Sequence, residues 1–155
     1  MSASAPRGDL IAHRTPGTRT DQRWWLASLS GALSVLIVAR ILDPDARGFG
    51  THTQLGLPRC AFQWLTGLPC PACGLTTSFA HLARGEFDAA LHANAFGVLL
   101  FACVLASVPF AMWARLRNRA FFETLARMRI ERVGLLLASI GLLNWIVRIA
   151  RLLLA

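Results

Sequence analysis

The 155-residue chain is 55% hydrophobic and 15% charged, yet its net charge is +8. This composition is too apolar for an ordinary soluble domain of that length. All the cations are arginines, and they lie mainly in short segments beside apolar runs, as in the cytoplasmic loops of membrane proteins. We therefore expect an integral membrane protein whose partner is the lipid bilayer, and we expect no nucleic-acid partner despite the basic charge.

The chain begins with a polar segment and then alternates apolar runs with loops. Residues 1–22 are rich in Ser, Thr, Pro, Gly and Arg, which predicts a disordered basic tail ahead of one membrane domain, residues 23–155. Three apolar runs are long enough to cross about 30 Å of hydrocarbon. They predict an all-α integral membrane protein with spans at about 24–42, 93–113 and 133–154. Pro109 is expected to kink the second span.

The loop between the first two spans, residues 43–92, is predicted to contain a short helical hairpin. Leu75, Phe79 and Leu82 recur at helical spacing and predict its second helix, which Gly85 would end. Apolar side chains of the preceding stretch are expected to pack on, or dip into, the outer membrane interface. These are Phe62, Trp64, Leu65 and Leu68.

The distribution of arginines predicts an orientation. Residues 114–132 carry six arginines and two acids, which predicts a loop that contacts anionic lipid headgroups. This loop, the N-terminal tail and the adjacent Arg23 together hold ten arginines, whereas the opposite side holds six. We therefore expect a cytoplasmic N-terminus and an extracytoplasmic loop 43–92.

Three of the four cysteines lie between Cys60 and Gly74. In Cys70-Pro71-Ala72-Cys73-Gly74 the proline fixes the backbone and the glycine tolerates left-handed geometry, so the turn aims both sulfurs at one point. Together with Cys60, this pair predicts a site for zinc or copper(I), with His81 as the candidate fourth ligand. His52 and His92 are the other histidines within the loop.

Two other interpretations use the same sulfurs. In the first, a membrane thiol–disulfide oxidoreductase cycles Cys70 and Cys73, and Cys60 resolves the mixed disulfide. A helix start after Cys73 would lower the pKa of that thiol. In the second, a non-catalytic accessory subunit holds a structural disulfide. A metal-binding module is the leading hypothesis, which favours a binding protein over an enzyme; self-association or a second membrane protein is a plausible partnership.

The third span carries polar residues on one side. Asn144 and Arg148 share a face, with Trp145 beside them. Polar groups inside a span are costly and generally face a partner or a cavity. We expect Arg148 to pair with Asp88 or Glu86.

The pattern C-x-F-x-x-x-T-G-L-P-C-P-A-C-G-L-T, followed by R-G-E-F-D-A-A-L-H-A-N, resembles a family of small bacterial membrane proteins, domain of unknown function 2752. The resemblance covers about 60–97, with a weaker match in W-x-x-R at the C-terminal end. It implies a bacterial inner-membrane location and no known activity. The residues that match the family's characteristic positions are Cys60, Thr66, Gly67, Cys70, Pro71, Cys73, Gly74, Thr76, Asn94, Trp145 and Arg148.

This chain departs from the family pattern at two positions. The family commonly has arginine after the threonine of C-G-x-T, where this chain has Thr77, and often has asparagine at the position of Ile149. If that arginine neutralises a thiolate or binds an anion, the departure at Thr77 implies an altered or lost activity.

Overall fold

The computed structural model describes residues 17–154, which contain helices, turns and no β-strand. Helix α1 comprises Arg19–Ile41, and a 3₁₀ helix at Thr51–Leu55 follows it. The remaining helices are α2 (Ala61–Thr66), α3 (Leu75–Leu82), α4 (Phe87–Leu116), α5 (Phe121–Arg127) and α6 (Ile130–Leu154). The all-α prediction is confirmed, and two short helices, α2 and α3, flank the cysteine turn.

Helices α1, α4 and α6 are long and apolar enough to cross a membrane, as predicted. Each begins earlier than its predicted span. Helix α1 begins at Arg19 because Thr18 and Asp21 form a reciprocal capping box at its N-terminus. Residues 19–22 are therefore helical, which corrects the predicted extent of the tail. The rest of the predicted tail, up to residue 16, lies outside the described residues.

Helix α4 is interrupted near its N-terminal end rather than at the proline. The backbone of Asn94 is extended, with φ −165° and ψ 108°, whereas Pro109 lies within the helical part. The side chain of Asn94 accepts a bond from the backbone N–H of Gly97 at 3.3 Å, which satisfies a donor near the break. The break thus falls at a polar residue that serves the cysteine turn.

One end of the molecule joins the start of α1 to the end of α4. Trp25 is buried against the rings of Phe110 and Phe121, and its indole N–H donates to the carbonyl of Arg119 at 2.9 Å. A carboxylate oxygen of Asp21 accepts from the backbone N–H of Phe121 at 2.8 Å. The predicted arginine-rich loop 114–132 therefore contains a short helix, α5, and is fastened to α1.

The opposite end holds the 42–86 segment and the cysteine turn. Helix α3 packs closely on α4. The hydroxyl of Ser78 lies only 2.7 Å from the position that a Cβ on Gly97 would occupy. The Arg84 guanidinium donates to the carbonyl of Leu42 at 2.7 Å and pairs with Asp43 at 3.0 Å. These contacts fix the loop against the C-terminal end of α1.

Helix α6 packs loosely on the other helices. Gly141 is its one buried residue in the described range, and the ring of Phe96 on α4 fills the space beside it. Most of its leucines are exposed, which suits contact with lipid or with another helix. Its C-terminal half reaches the cysteine turn, so α6 contacts the site through polar side chains.

Candidate functional site

The sulfur atoms of Cys60, Cys70 and Cys73 lie within 4.8 Å of one another, and all three cysteines are free. A zinc–sulfur bond of about 2.3 Å places sulfurs about 3.8 Å apart around one ion. Small side-chain rotations would therefore bring the three donors to one metal. Cys103 is exposed on α4 and does not belong to this cluster.

Two local structures bring these sulfurs together. Cys60 precedes α2 as its N-cap residue, and the backbone N–H of Cys73 donates to the carbonyl of Cys70 at 3.0 Å, which closes the C-P-x-C turn. Gly67 ends α2 with φ 73°. The hydroxyl of Thr66 donates to the carbonyl of Phe62 and accepts from the backbone N–H of Leu68. This arrangement brings the three sulfurs together, as the sequence predicted.

Gly74 allows the turn to approach α4 and the preceding loop. Its φ is 87°, a conformation that side chains with a Cβ rarely adopt. A Cβ on Gly74 would meet the carbonyl oxygen of Ala93 and lie 2.8 Å from that of Gly48. Glycine is thus required here both for its backbone conformation and for the space between two carbonyl groups.

Asn94 holds the turn from the side of α4. It is 1% exposed, and its amide N–H donates to the carbonyl of Cys73 at 3.1 Å. Its amide oxygen accepts from Asn144 of α6 at 3.2 Å. Asn94 is therefore a buried link between the cysteine turn and two long helices, α4 and α6.

Helix α6 holds the same turn from the other side. The indole N–H of Trp145 donates to the carbonyl of Pro69 at 2.7 Å. The guanidinium of Arg148 donates to the carbonyl of Cys73 at 2.8 Å. The predicted partners of Arg148 are wrong: Glu86 pairs with His81, and Asp88 is exposed.

The three thiols lie in different electrostatic environments. Burial raises the pKa of the Cys73 thiol to about 12, and the neighbouring thiol of Cys70 adds to this effect. The expectation of a lowered pKa at Cys73 is therefore wrong, because burial disfavours the thiolate. The backbone N–H of Gln63 instead holds the pKa of the Cys60 thiol below its ordinary value.

An open cavity of about 370 Å³ borders all three cysteines. His52 and Gln63 also line it, and the amide oxygen of Gln63 lies 3.9 Å from the sulfur of Cys73. The sequence placed His52 among three histidines close to the cysteines along the chain, but no sequence pattern indicated Gln63 as a site residue. Its position three residues after Cys60, on the first turn of a short helix, could have indicated that it faces the same point.

The candidate ligand His81 lies outside the sulfur cluster. Its Nδ1 atom is 2.5 Å from a carboxylate oxygen of Glu86, and this pair closes the turn between α3 and α4. Pro71 is exposed at the corner of the C-P-x-C turn, and Thr76 lines the cavity beside the sulfurs. His52 therefore lines the cavity beside the three sulfurs, whereas His81 does not.

Thr77, the position at which the resemblance to the family implies an arginine, is completely buried. Its hydroxyl is 2.8 Å from that of Thr51, which also accepts from the backbone N–H of Asp45 at 3.0 Å. This hydroxyl pair fixes the 3₁₀ helix on α3. A guanidinium has no room there unless the 43–56 segment moves.

Comparison with known proteins identifies one similarity. The model of a family described as "Protein of unknown function (DUF2752)" matches residues 60–108, which begins at the first cysteine of the cluster and ends within α4. No curated protein and no solved structure matches the chain. From Cys60 to Val108 the chain thus resembles the DUF2752 family, whose function is unknown.

Proposed function

We propose that this protein is a membrane-embedded metal-binding module in which Cys60, Cys70 and Cys73 hold a zinc or copper(I) ion as thiolates. The observation that carries the proposal is that the three sulfurs lie within 4.8 Å of one another. Thiolates are the preferred donors of both ions. The cavity beside the sulfurs leaves a fourth position for His52, water or an exogenous donor.

The surroundings of the cluster support a fixed binding site over three accidental neighbours. The turn is fastened by side chains from both α4 and α6, as metal sites are by a second layer of hydrogen bonds. Such preorganisation lowers the cost of bringing three donors to one ion. A cysteine cluster that served only as apolar filling would not need polar side chains from two helices on a single carbonyl.

The proposal is tested by metal titration of the purified protein in detergent with a competing chromophoric chelator. We expect one ion per chain in the wild type and at least a hundredfold weaker binding in Cys60→Ser and Cys73→Ser. Cys103→Ser is the matched control, because it removes a thiol outside the cluster. Wild-type protein that binds no better than the two serine variants contradicts the proposal.

Thiol–disulfide exchange by Cys70 and Cys73 is the less supported alternative. Cys73 is 7% exposed, so a partner's thiol or disulfide has poor access to its sulfur. Cys60, whose thiol pKa is lowered, is the sulfur better suited to attack. A structural disulfide within the cluster is the third alternative, and alkylation of cellular protein before and after reduction separates both from metal binding.

We further propose that the three long helices span a bacterial inner membrane with the N-terminus in the cytoplasm. The arginine count supports this orientation, and the contact of the C-terminal half of α6 with the cysteine turn puts both at one membrane face. The apolar, exposed Trp64 and Leu65 of α2 would then rest at the outer interface. In spheroplasts, an impermeant maleimide should label Cys60 without membrane disruption; labelling only after lysis contradicts this orientation.

A further inference from the structure

The guanidinium of Arg148 lies beside the sulfur cluster without a carboxylate partner. Between residues 17 and 154, the ion pairs of the structure join Arg47, Arg84 and Arg127 to acids, and none involves Arg148. Arg148 is partly buried on a helix long and apolar enough to span a membrane. A cation in such a position is costly unless an anion offsets its charge.

The one hydrogen bond described for this guanidinium does not supply that anion. Its acceptor is the neutral carbonyl of Cys73, which also accepts from Asn94. A carbonyl oxygen and the sulfur of the same cysteine are four bonds apart, so the guanidinium lies within about 7 Å of that sulfur. Thiolates formed at the cluster would thus place negative charge close to Arg148.

We propose that Arg148 is the counter-charge of an anionic metal–thiolate centre at Cys60, Cys70 and Cys73, an inference that rests on the metal-binding function proposed above. A divalent ion bound by three thiolates has a net charge of −1. The single positive charge of Arg148 neutralises it within the membrane protein. Arg148 thereby favours the loaded site.

The charge of Arg148 can be separated from its hydrogen bond by comparing two ligands of the same three sulfurs. Zn²⁺ forms a centre of charge −1. Arsenite condenses with three thiols, As(OH)₃ + 3 RSH → As(SR)₃ + 3 H₂O, and leaves a neutral centre with no change of oxidation state. Loss of a nearby positive charge weakens the first centre and leaves the second unaffected.

The experiment measures both affinities in the full-length protein in detergent, at one pH. In Arg148→Gln we expect Zn²⁺ affinity to fall about 10- to 50-fold, from one charge at about 7 Å in a medium of intermediate polarity. Arsenite affinity should stay within about twofold of wild type. Arg148→Lys should restore most of the Zn²⁺ affinity, and Arg151→Gln, an exposed arginine three residues along α6, is the control with no effect.

Three outcomes would overturn the role of Arg148. Equal losses for Zn²⁺ and arsenite in Arg148→Gln would show that the residue only positions the turn. Unchanged Zn²⁺ affinity in that variant, or a loss in Arg148→Lys as large as in Arg148→Gln, would exclude a counter-charge. Wild-type protein that binds neither ligand is a different result, because it overturns the metal-binding function itself.

Discussion

Replacement of Gly74 by alanine should open the cysteine turn. Gly74 has φ 87°, and a Cβ there would lie against the carbonyl groups of Ala93 and Gly48. The left-handed conformation costs alanine about 1 kcal/mol. Displacement of packed backbone adds about 1–3 kcal/mol. The closed turn should therefore be destabilised by about 2–4 kcal/mol.

Gly67→Ala is the matched control. Gly67 also has a positive φ, 73°, but nothing lies within 4 Å of the position of its Cβ. This variant should lose only the conformational contribution of about 1 kcal/mol. The difference between the two variants, about 1–3 kcal/mol, isolates the close contact at Gly74.

The assay is alkylation of Cys73, which is 7% exposed in the closed turn. Peptide mapping after timed maleimide treatment gives the rate at that one cysteine. If alkylation requires opening, a difference of 1–3 kcal/mol makes the rate in Gly74→Ala about 5- to 150-fold higher than in Gly67→Ala. Equal rates in the two variants would refute the argument that the two carbonyl groups confine Gly74.

Three further predictions concern contacts around the site. Trp145→Phe removes the indole donor to the turn at a cost of about 1 kcal/mol, and it should speed alkylation of Cys70; an unchanged rate means that this bond does not hold the turn. Thr77→Val breaks a buried hydroxyl pair and should lower stability in thermal unfolding by about 1–2 kcal/mol, whereas an unchanged Tm contradicts its importance. Hydrogen bonds from the Arg47 side chain lower the pKa of Asp45 to about 2 from its ordinary 3.8. The ionised carboxylate therefore stabilises the fold at pH values above 3.8, and this stabilisation is lost as the pH falls toward 2. The Tm of Asp45→Asn should therefore fall less than that of wild type between pH 5 and pH 2.5, and parallel curves would disprove the contribution.

The spans were predictable because their signal is composition over about twenty residues. Their ends were not, since they depend on local polar contacts such as the capping box at Thr18. The sequence predicted a kink at Pro109, the residue that lacks an N–H, but gave no sign of the interruption at Asn94. The side chain of Asn94 satisfies both a helix donor and the cysteine turn.

The site was predictable where it depends on one short stretch of chain. The turn from Cys70 to Gly74 follows from proline and glycine preferences, and Cys60 joins it after one helix of six residues. Burial was not readable from the sequence, so the pKa of Cys73 was expected to move in the wrong direction.

Long-range partners were the part that sequence could not supply. Arg148 carried the signal of a polar residue within a span, but its acceptor is a backbone carbonyl 75 residues away. A carbonyl has no sequence signature, since every residue has one. Only carboxylates could be predicted as acceptors for Arg148, and one of them, Glu86, pairs with His81 instead.

X-ray absorption at the metal edge of the loaded protein would show whether three cysteine sulfurs share one metal ion. We expect three sulfur scatterers at about 2.3 Å for zinc, with one nitrogen or oxygen completing the shell. Cys60→Ser should reduce the sulfur count by one, and Cys103→Ser should leave it unchanged. A shell made only of nitrogen and oxygen would rule out a shared thiolate site at these cysteines.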